Sequence, residues 1–508
     1  MTPKANIIDR AVDWALQIIS PPRAAARQHL RLMNSSRDYR EGFFALMRAR
    51  GYRSAKSPAG ATGWLASGNR TADQENRNDI PTLRDRAHEL RRDDPIADGL
   101  VGTFISEVIG TGMRPQANTA DADKDQAMEE IYAERADYLA PAENMTAGER
   151  QRTTFGELLT VGEHLIKKTI TKAGEPVWFE HIEGYRLQQP VGVKTRGGVE
   201  IRDGVERDKF GRIQAYWIMR HSPETGAGAL PMATEIERIP ADQIAHLALK
   251  KRFGQSRGVT LFHSILQDLR DLDLLMLASL KRAQISACLA VFIKSTQTLQ
   301  DMMSATAREY DMVLDQALEP GMIMALRPGE EVQTLVPNFP VPELVPFIIA
   351  LARRIGVAVG VCWQVVLRDF SQSSYSSART DILQTRRTYK IFQELVRNKW
   401  LRWEWMHIME DAQLRGDKRM RGITKAEMAK VQFIPDGWDW VDPATEAEAT
   451  EKELEIGVTT LQEECSLLGK DWKEVQDQRL VEEAREIEQR TKLKLPLKQA
   501  AVPPAAAA

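Results

Sequence analysis

One pentapeptide has residue types and spacing suited to covalent chemistry. The stretch GQSRG, residues 254–258, matches the G-x-S-x-G pattern, in which a serine at a strand-to-helix turn acts as a nucleophile. That chemistry also needs an Asp or Glu and then a His downstream, each placed after its own strand. The downstream histidines, His263 and His407, both lie in predicted helices. The context therefore favours a simple turn before a helix, and a serine hydrolase using Ser256 remains the alternative.

Other patterns that would indicate nucleotide or metal chemistry are missing from the sequence. The segment GTGMRP has two glycines, but no G-x-G-x-x-G follows a strand, and neither G-x-x-x-x-G-K-[ST] nor H-E-x-x-H occurs. Cys288, Cys362 and Cys465 lie far apart, which suits a reducing compartment and gives no metal-ligand spacing. We therefore predict no catalytic residue, no metal and no cofactor, and a structural or binding role.

A hydroxyl-rich stretch, DFSQSSYSSART at 369–380, separates an apolar run from a strongly helical one. Seven of its twelve residues are Ser, Gln or Thr, and it contains neither Gly nor Pro. The pattern predicts a soft polar loop followed by a helix from residue 376 to about 413. An ordinary polar linker between two helices is the simpler interpretation of the same stretch.

The predicted helix at 376–413 carries two parallel stripes. At about 100° per residue, four basic residues fall within about 20° of one line, and four apolar residues form a second line about 80° away. The basic stripe fits a solvated face, or a face turned towards a polyanion. The basic residues are Arg379, Arg386, Lys390 and Arg397, and the apolar ones are Ile382, Tyr389, Val396 and Trp403.

Composition and charge describe a soluble multidomain chain with segregated charge. The 508 residues are 43% hydrophobic and 28% charged, which is ordinary for two to four globular domains. The net charge is −2, but residues 1–60 sum to +7, residues 378–402 to +5 and residues 441–490 to −9. Arg353 and Arg354 interrupt the longest apolar run, which excludes a membrane span. Surfaces of opposite sign are expected, rather than a uniformly basic nucleic-acid binder.

Periodicity predicts an α+β chain. We expect two helices broken near Pro95, a β-rich block at 176–250 and a strand–turn–strand with turns at Asp203-Gly204 and Gly211. Apolar spacing predicts a long helix at 259–288. A small module follows, with strands in LAVFIKS, GMIMAL and EVQTLV and a helix at 297–318, and then a helix at 342–357. The acidic segment opens with Asp442 as N-cap and Pro443 in the first turn, and its helices break near Gly457 and Gly469.

The ordered motifs resemble the lambda-type portal proteins of tailed bacteriophages. The stretches that carry the resemblance span about residues 60–490 and include LRDRAHELRRDDPIADGLVGTFISEVIGTGMRPQ, GVERDKFGRIQAYWI, the GQSRG-containing helix start, SYSSARTDILQ and DWVDPATEAEATEKELEIG. RRDDP departs from the family's more usual Arg-Asn-Asn type of turn, and GVCWQVVLRDFSQS is richer in apolar residues than the usual Val-Pro step.

The resemblance implies a portal-type fold, mostly helical with a β-rich wing, long stem and tunnel helices and a small α/β clip, assembling into a ring. The implied divisions are a basic N-terminal segment (1–60), wing (61–257), first stem helix (258–288), clip (289–341), second stem helix (342–366), tunnel loop (367–377), tunnel helix and wing return (378–440), crown (441–495) and a disordered tail (496–508).

The resemblance also implies a function and partners. A homo-oligomeric ring, expected to be a dodecamer, stands at one capsid vertex of the virion, and double-stranded DNA passes through it without sequence specificity. The implied partners are the terminase large subunit, the major capsid or scaffold protein and a head-completion adaptor protein, with assembly in the host cytoplasm and no membrane. A plain nucleic-acid-binding adaptor is a further alternative, which predicts tight duplex binding by the monomer.

Specific residues receive roles from the resemblance and the helix geometry together. We expect Arg386, Lys390 and Arg397 at the subunit interface, paired with carboxylates of the neighbour. Neutral hydroxyl and amide groups would touch sliding DNA weakly, whereas direct cation–phosphate contacts would bind it tightly. The residues expected at the channel are Asp369, Ser371, Gln372, Ser373, Ser374, Tyr375, Ser376, Ser377 and Arg379.

Overall fold

The computed structural model describes ten stretches of the chain. They are residues 70–119, 121–170, 175–190, 192–193, 198–220, 236–287, 291–295, 330–334, 343–439 and 442–496. The chain divides at Thr71, and all the helices and strands described below belong to the unit Ala72–Ala508. The predictions for residues 1–60, the helix at 297–318, the strand GMIMAL and the C-terminal tail from 497 onwards fall outside the described residues.

Helices make up most of the described chain. The helix predicted at 259–288 begins later, at Leu266, and the helix predicted at 376–413 forms within a residue of its expected ends, but with a π-helical segment at Arg397–Leu401. The helices are α1 (Ala72–Asn76), α2 (Ile80–Asp93), α3 (Pro95–Val108), α4 (Ala122–Ala136), α5 (Ala147–Val161), α6 (Leu266–Ala287), α7 (Leu344–Val359), α8 (Trp363–Leu367), α9 (Tyr375–Val396), α10 (Arg402–Leu414), α11 (Lys425–Met428), α12 (Pro443–Ile456), α13 (Leu461–Leu467) and α14 (Trp472–Lys492), with short 3-10 turns at Gly184–Arg186, Ala241–Gln243 and Lys418–Met420.

The strands form small antiparallel sheets. Their orders are β1–β11, β3–β2–β8, β4–β5–β6–β7 and β9–β10. LAVFIKS and EVQTLV, both predicted as strands, contain β9 and β10, which are antiparallel partners of each other. The strands are β1 (Arg114–Ala117), β2 (Glu163–Thr169), β3 (Trp178–Glu183), β4 (Glu200–Arg202), β5 (Val205–Arg207), β6 (Ile213–Met219), β7 (Ile236–Pro240), β8 (Ile244–Ala248), β9 (Val291–Ser295), β10 (Glu330–Thr334) and β11 (Val431–Ile434).

Local capping and turn chemistry explain several element ends. The side chain of Asp94 accepts hydrogen bonds from the backbone N–H groups of Ile96 and Ala97, so α2 ends and α3 begins at the predicted break. Asp203 and Gly204 have φ of 49° and 86°, the left-handed pair that a two-residue hairpin requires. Asp442 caps α12 as predicted, accepting from the backbone N–H of Thr445.

The main core lies between helices α2 to α5 and the consecutive helices α9 and α10. Phe104 of α3 packs edge-on against Tyr389 and Phe392 of α9, with ring centroids 5.2 and 5.5 Å apart. Tyr389 and Val396 are almost fully buried, and the other two members of the predicted apolar stripe are half-buried. The predicted apolar stripe therefore packs inwards, and the basic stripe beside it is left at the surface.

A buried ion pair joins three of the helices at the centre of this core. The guanidinium of Arg150 on α5 donates to both carboxylate oxygens of Glu404 on α10, at 2.5 and 2.8 Å. Trp400 Nε1 also donates to Glu404, at 2.8 Å, and the hydroxyl of Tyr132 on α4 lies 3.4 Å from it. All four side chains are buried, so this carboxylate has neutral and charged donors in place of water.

The described helices include none with the length and apolar character that a membrane span requires. Arg353 and Arg354, which interrupt the longest apolar run of the sequence, lie inside α7.

Removing one partner of the central ion pair should destabilise the fold strongly. Glu404→Gln leaves the Arg150 charge buried without its counter-ion, and we expect the free energy of unfolding to fall by ~3–5 kcal/mol. Urea denaturation of the full chain, followed by circular dichroism, measures this. The double variant Arg150→Met/Glu404→Leu should recover most of the loss, because no unpaired charge remains.

A matched control is the exposed pair Glu448–Lys452 on α12, where Glu448→Gln should change stability little. Equal losses for the buried and the exposed pair would contradict the central role given to Glu404.

Candidate functional site

The hydroxyl-rich connection is anchored at its start by the helix that follows it. α7 is followed by its C-cap residue Gly360, which adopts a left-handed conformation with φ 80°. Thr388 Oγ1 of α9 donates to the Gly360 carbonyl at 2.6 Å, and the backbone N–H of Cys362 donates to Thr385 Oγ1 at 3.2 Å. Two threonines one turn apart on α9 therefore fix where the chain leaves α7.

The connection turns sharply after α8. Arg368 has φ 52°, a left-handed conformation uncommon for a non-glycine residue. Its guanidinium donates to Thr103 Oγ1 at 3.1 Å and lies 3.4 Å from the carbonyl of Gly99, both on α3. Arg368 thus forms the turn with its backbone and joins the connection to α3 with its side chain.

Side-chain hydrogen bonds hold the serine-rich part in one conformation. Asp369 Oδ1 accepts from the backbone N–H of Ser371 at 2.9 Å, and this bonding lowers the pKa of Asp369. Gln364 Nε2 donates to Ser373 Oγ at 3.1 Å and to Asp381 Oδ2 at 2.8 Å. The stretch that the sequence predicts to be soft is a compact, internally bonded turn.

Ser374 ends the connection by capping α9. Its hydroxyl accepts from the backbone N–H of Ser377, so Tyr375, Ser376 and Ser377 form the first turn of the helix and are not loop residues. Arg379 lies one turn further on. The division expected between loop and helix at 377/378 therefore moves to 374/375, because a serine cap fixes the start.

The outward surface of this site is polar, neutral and partly aromatic. The side chains of Ser371, Gln372, Ser374, Ser376 and Ser377 are exposed. Phe370 and Tyr375 are exposed between them. Such a surface offers weak hydrogen bonds and apolar contact. The charged side chains of the turn, Arg368 and Asp369, have opposite signs, and each is engaged in hydrogen bonds.

The basic stripe of α9 faces a segment of its own chain. Arg379 forms an ion pair with Glu446 of α12, at 3.3 Å. Arg386 donates to the carbonyl of Asp439 at 3.0 Å, and its guanidinium lies 5.3 Å from the centroid of the Trp438 ring. Lys390 Nζ lies 5.9 Å from the centroid of the same ring. The face of an aromatic ring attracts cations, so Trp438 favours both basic side chains.

Trp438 and Asp439 were not predicted as partners of this stripe. The sequence signal is an aromatic pair among aspartates, DGWDW at 436–440, whose residues could receive cations. The position of Trp438 beside Arg386 depends on a contact between segments about fifty residues apart in the sequence. Periodicity on a single helix carries no information about such a contact.

Arg397, the fourth basic residue, lies in the π-helical segment beside a cleft. Burial lowers the pKa of Arg397, and Glu394, 3.7 Å away, opposes that shift. The cleft has a volume of about 870 Å³, between the end of α9 and α13. Its walls carry charges of both signs, including Lys390, Lys399 and Glu463.

Ser256, the alternative nucleophile, is fully buried. Its hydroxyl donates to Asp73 Oδ2 at 2.8 Å, and its backbone N–H donates to Asp73 Oδ1 at 2.7 Å. The other contact of the hydroxyl is Arg207, a cation that cannot take a proton as a general base. This arrangement joins a turn to α1 and exposes no nucleophile.

The next two residues of the pentapeptide explain why the pattern occurs here. Arg257 donates to Glu163 and to the carbonyls of Gly184 and Leu187, all buried. Burial alone would raise the pKa of Glu163, but Arg257 and His246 outweigh it and hold the pKa at about 2. A Cβ at Gly258 would collide with the carbonyl of Gly162, so that position requires glycine.

Within the part of the chain that the structure describes, no three His, Cys, Asp or Glu side chains come together as metal ligands would. The site therefore consists of a fixed, neutral turn and a basic helix face that is partly occupied by the chain itself.

Comparison with known protein families supplies the identity. Residues 59–393 match the model of the phage portal proteins of the lambda family. The chain belongs to that family. It is a structural protein and not an enzyme, and the serine hydrolase alternative is wrong.

Two similar curated proteins are also named as portal proteins. The chain is 26% identical over 414 residues to the probable portal protein of Halomonas phage phiHAP-1, with 79% of each chain covered. It is 24% identical over 331 residues to portal protein B of Escherichia phage lambda, covering 58% of this chain and 60% of that protein. A chain from the neck of a native GTA particle has a TM-score of 0.43 and 14% identity, over 76% of this chain and 94% of that one.

Ser256→Ala should test the structural role of the pentapeptide in this portal protein. The change leaves an Asp73 oxygen without its donor, and we expect a loss of ~1–3 kcal/mol in stability. Neither the wild-type chain nor the variant should hydrolyse esters or react with a fluorophosphonate. Labelling at Ser256 of the folded chain would contradict the buried position found here.

Proposed function

We propose that this chain is the subunit of a phage portal ring, through which double-stranded DNA is packaged into the capsid and later ejected. The observation that carries the proposal is the family match over residues 59–393. The proposed location is the capsid vertex of the virion, with assembly in the host cytoplasm. The proposed ring is a dodecamer.

The elements fit a portal-type arrangement in chain order. We assign residues 61–257 to the wing, 289–341 to the clip around the antiparallel strands β9 and β10 and 441–495 to the crown. The two stem segments, 258–288 and 342–366, contain α6 and α7. The tunnel helix and wing return, 378–440, include most of α9 and all of α10.

Exposed apolar side chains on α6 and α7 support assembly through the stem. The buried sides of these helices hold Leu269, Leu272 and Ile355, so the pair already packs into the core of its own subunit. A helix with apolar residues on both sides is expected to be buried on both. The exposed set is Leu274, Met276, Leu277 and Leu280 on α6 and Val345, Phe347 and Val357 on α7.

The turn at residues 368–374 is the proposed contact with moving DNA. Exposed hydroxyl and amide groups make weak contacts with phosphate oxygens and read no bases. Because Asp369 is engaged by Ser371, the tip does not present an unengaged carboxylate to the duplex. A fixed turn also costs less ordering entropy at each contact than a flexible loop would.

The basic stripe has a divided role in this proposal. Arg379, next to the turn, faces the channel with its charge partly offset by Glu446. Arg386, Lys390 and Arg397 remain assigned to the subunit interface. Arg386 and Lys390 also contact Trp438, so charge reversal there would weaken the contacts of α9 with Trp438 and Asp439 of the same chain, as well as the contact with a neighbour.

The proposed partners follow from position in the ring. The clip would meet the terminase large subunit and then the head-completion adaptor protein, and the outer wing would meet the major capsid or scaffold protein. No membrane takes part. The plain adaptor alternative differs in its expected behaviour, because it requires the monomer to bind duplex DNA tightly.

Charge on the exposed apolar face of the stem should abolish the ring. Leu277→Glu and Val357→Glu each place a carboxylate where a neighbouring apolar surface is proposed, and we expect subunits that fold but do not assemble. Mass photometry and negative-stain imaging report the ring, and circular dichroism reports folding.

Leu414→Glu is the matched control, since Leu414 is exposed at the end of α10, outside the proposed interface, and the variant should still form rings. Normal rings from both stem variants would remove α6 and α7 from the subunit contact.

Cations added to the turn should slow DNA passage. Ser371→Lys and Gln372→Lys place ammonium groups at the proposed contact, and each phosphate neutralised adds salt-sensitive affinity through counter-ion release. We expect normal rings, slower packaging at low salt and partial recovery as salt rises. An in vitro packaging assay at two salt concentrations measures both effects.

Gln126→Lys, a change at an exposed position on α4, is the control and should package normally. Identical packaging rates for all three variants would place the DNA contact elsewhere in the chain.

A further inference from the structure

Two loop tips in the β-rich part of the chain carry the same short sequence pattern. Lys209-Phe210-Gly211 lies between β5 and β6, and Arg252-Phe253-Gly254 follows β8. Both glycines are left-handed, with φ of 82° and 79°. Phe210 is 71% exposed and Phe253 is fully exposed. Each tip thus presents a phenylalanine to solvent directly after a basic residue.

One arginine makes hydrogen bonds to both loops. Arg207 donates from NH1 to the carbonyl of Gly211 at 2.9 Å and from NH2 to Ser256 Oγ at 3.3 Å. The first contact is in the Phe210 turn, and the second is three residues beyond Phe253. The two loops are therefore linked through Arg207, and their tips together are called here the basic-aromatic patch: Lys209, Phe210, Arg212, Lys251, Arg252 and Phe253.

Hydrogen bonds hold both tips rigid. Asp208 Oδ1 accepts from the backbone N–H groups of Phe210 and Arg212, at 2.9 and 2.8 Å. In the other tip, Gln255 Oε1 accepts from the backbone N–H groups of Lys251 and Arg252, at 3.0 and 3.3 Å. An exposed aromatic ring on a rigid support loses little entropy on binding, which is the property of an anchor residue.

The charges around the rings define the partner's chemistry. Lys209 Nζ and the Arg212 guanidinium lie 4.9 and 5.4 Å from the centroid of the Phe210 ring. The patch has four cations, while Asp208 and Glu75 are the carboxylates paired with two of them. A complementary surface is negative and also offers apolar side chains. Stacked bases of a duplex offer no apolar face to two phenylalanines, so a protein surface fits better.

A surface of that kind is present on the same chain. Residues 451–458, EKELEIGV, end α12 and are exposed throughout. Leu454, Ile456 and Val458 are exposed there beside Glu451, Glu453 and Glu455. α12 buries none of its residues within the chain, so this segment and the patch are both uncovered in a single copy.

We propose that the basic-aromatic patch of one subunit binds the acidic segment 451–458 of a second copy. The contact joins two different surfaces of the same chain, and such heterologous contacts close into rings. The inference rests on the proposed portal ring and adds a second contact to the one assigned to α6 and α7. It couples the β-rich part of one subunit to the C-terminal helices of its neighbour.

A photo-crosslinking experiment on full-length rings tests this contact. p-Benzoylphenylalanine replaces Phe253, and rings are assembled from an equal mixture of ¹⁴N- and ¹⁵N-labelled chains. After irradiation, mass spectrometry should find products that join position 253 to residues 451–458, with mixed labels that identify contacts between copies. Products to other parts of the chain alone, or to packaged DNA, would overturn the proposal.

Exchanging the charges between the two surfaces is a second test of the contact. Lys209→Glu/Lys251→Glu should lose the crosslink, Glu453→Lys/Glu455→Lys should lose it too, and the four changes combined should restore it. The same photo-probe at Leu414 is the control and should give no product with residues 451–458. Rings are scored separately by negative stain: absent wild-type rings count against the proposed function, whereas rings without the crosslink count against this contact alone.

Discussion

The buried contact between Arg150 and Glu404 is the constraint on which the helical core depends. Desolvating two charges is costly, and the cost is offset only where geometry and further donors satisfy both. Here Trp400 and Tyr132 donate further hydrogen bonds to the carboxylate of Glu404, and the contacts of that carboxylate join α4, α5 and α10. Since α9 continues through the π-helical segment into α10, the same contact also sets the position of the turn at 368–374.

Much of the secondary structure could be predicted because it depends on local rules. The break at Asp94, the hairpin at Asp203-Gly204 and the cap at Asp442 follow from side chains within a few residues of each position. The helix after the serine-rich turn was predicted within a residue, since its apolar stripe runs for several turns. Long helices with clear periodicity carry more of this signal than short strands do.

The candidate site was predicted less well, because its contacts join distant segments. The partners of Arg379 and Arg386 lie about fifty to seventy residues away, on the far side of a strand and several turns. The turn itself was predicted to be soft from composition alone. Its serines and Asp369 instead bond within the turn, which is a property of their spacing and of Gln364 and Asp381 nearby. Hydroxyl-rich composition describes what a segment offers to solvent, and the spacing of its donors and acceptors decides whether it is ordered.

The π-helical segment at Arg397–Leu401 has a consequence for sequence length. A π turn bonds each N–H one residue further back than an α turn does, so it holds one residue more over the same stretch of helix. The faces on either side keep their phase: Tyr389 and Val396 before it, and Trp405 and Ile408 after it, all reach the same core. The loss of a single residue at this position could therefore be accommodated by a change to α-helical hydrogen bonding, with the serine-rich end of the helix kept in place. In an alignment of related chains, a one-residue gap at 397–401 would mark a change from π to α hydrogen bonding. The residues before and after the gap would then occupy equivalent positions in the two structures.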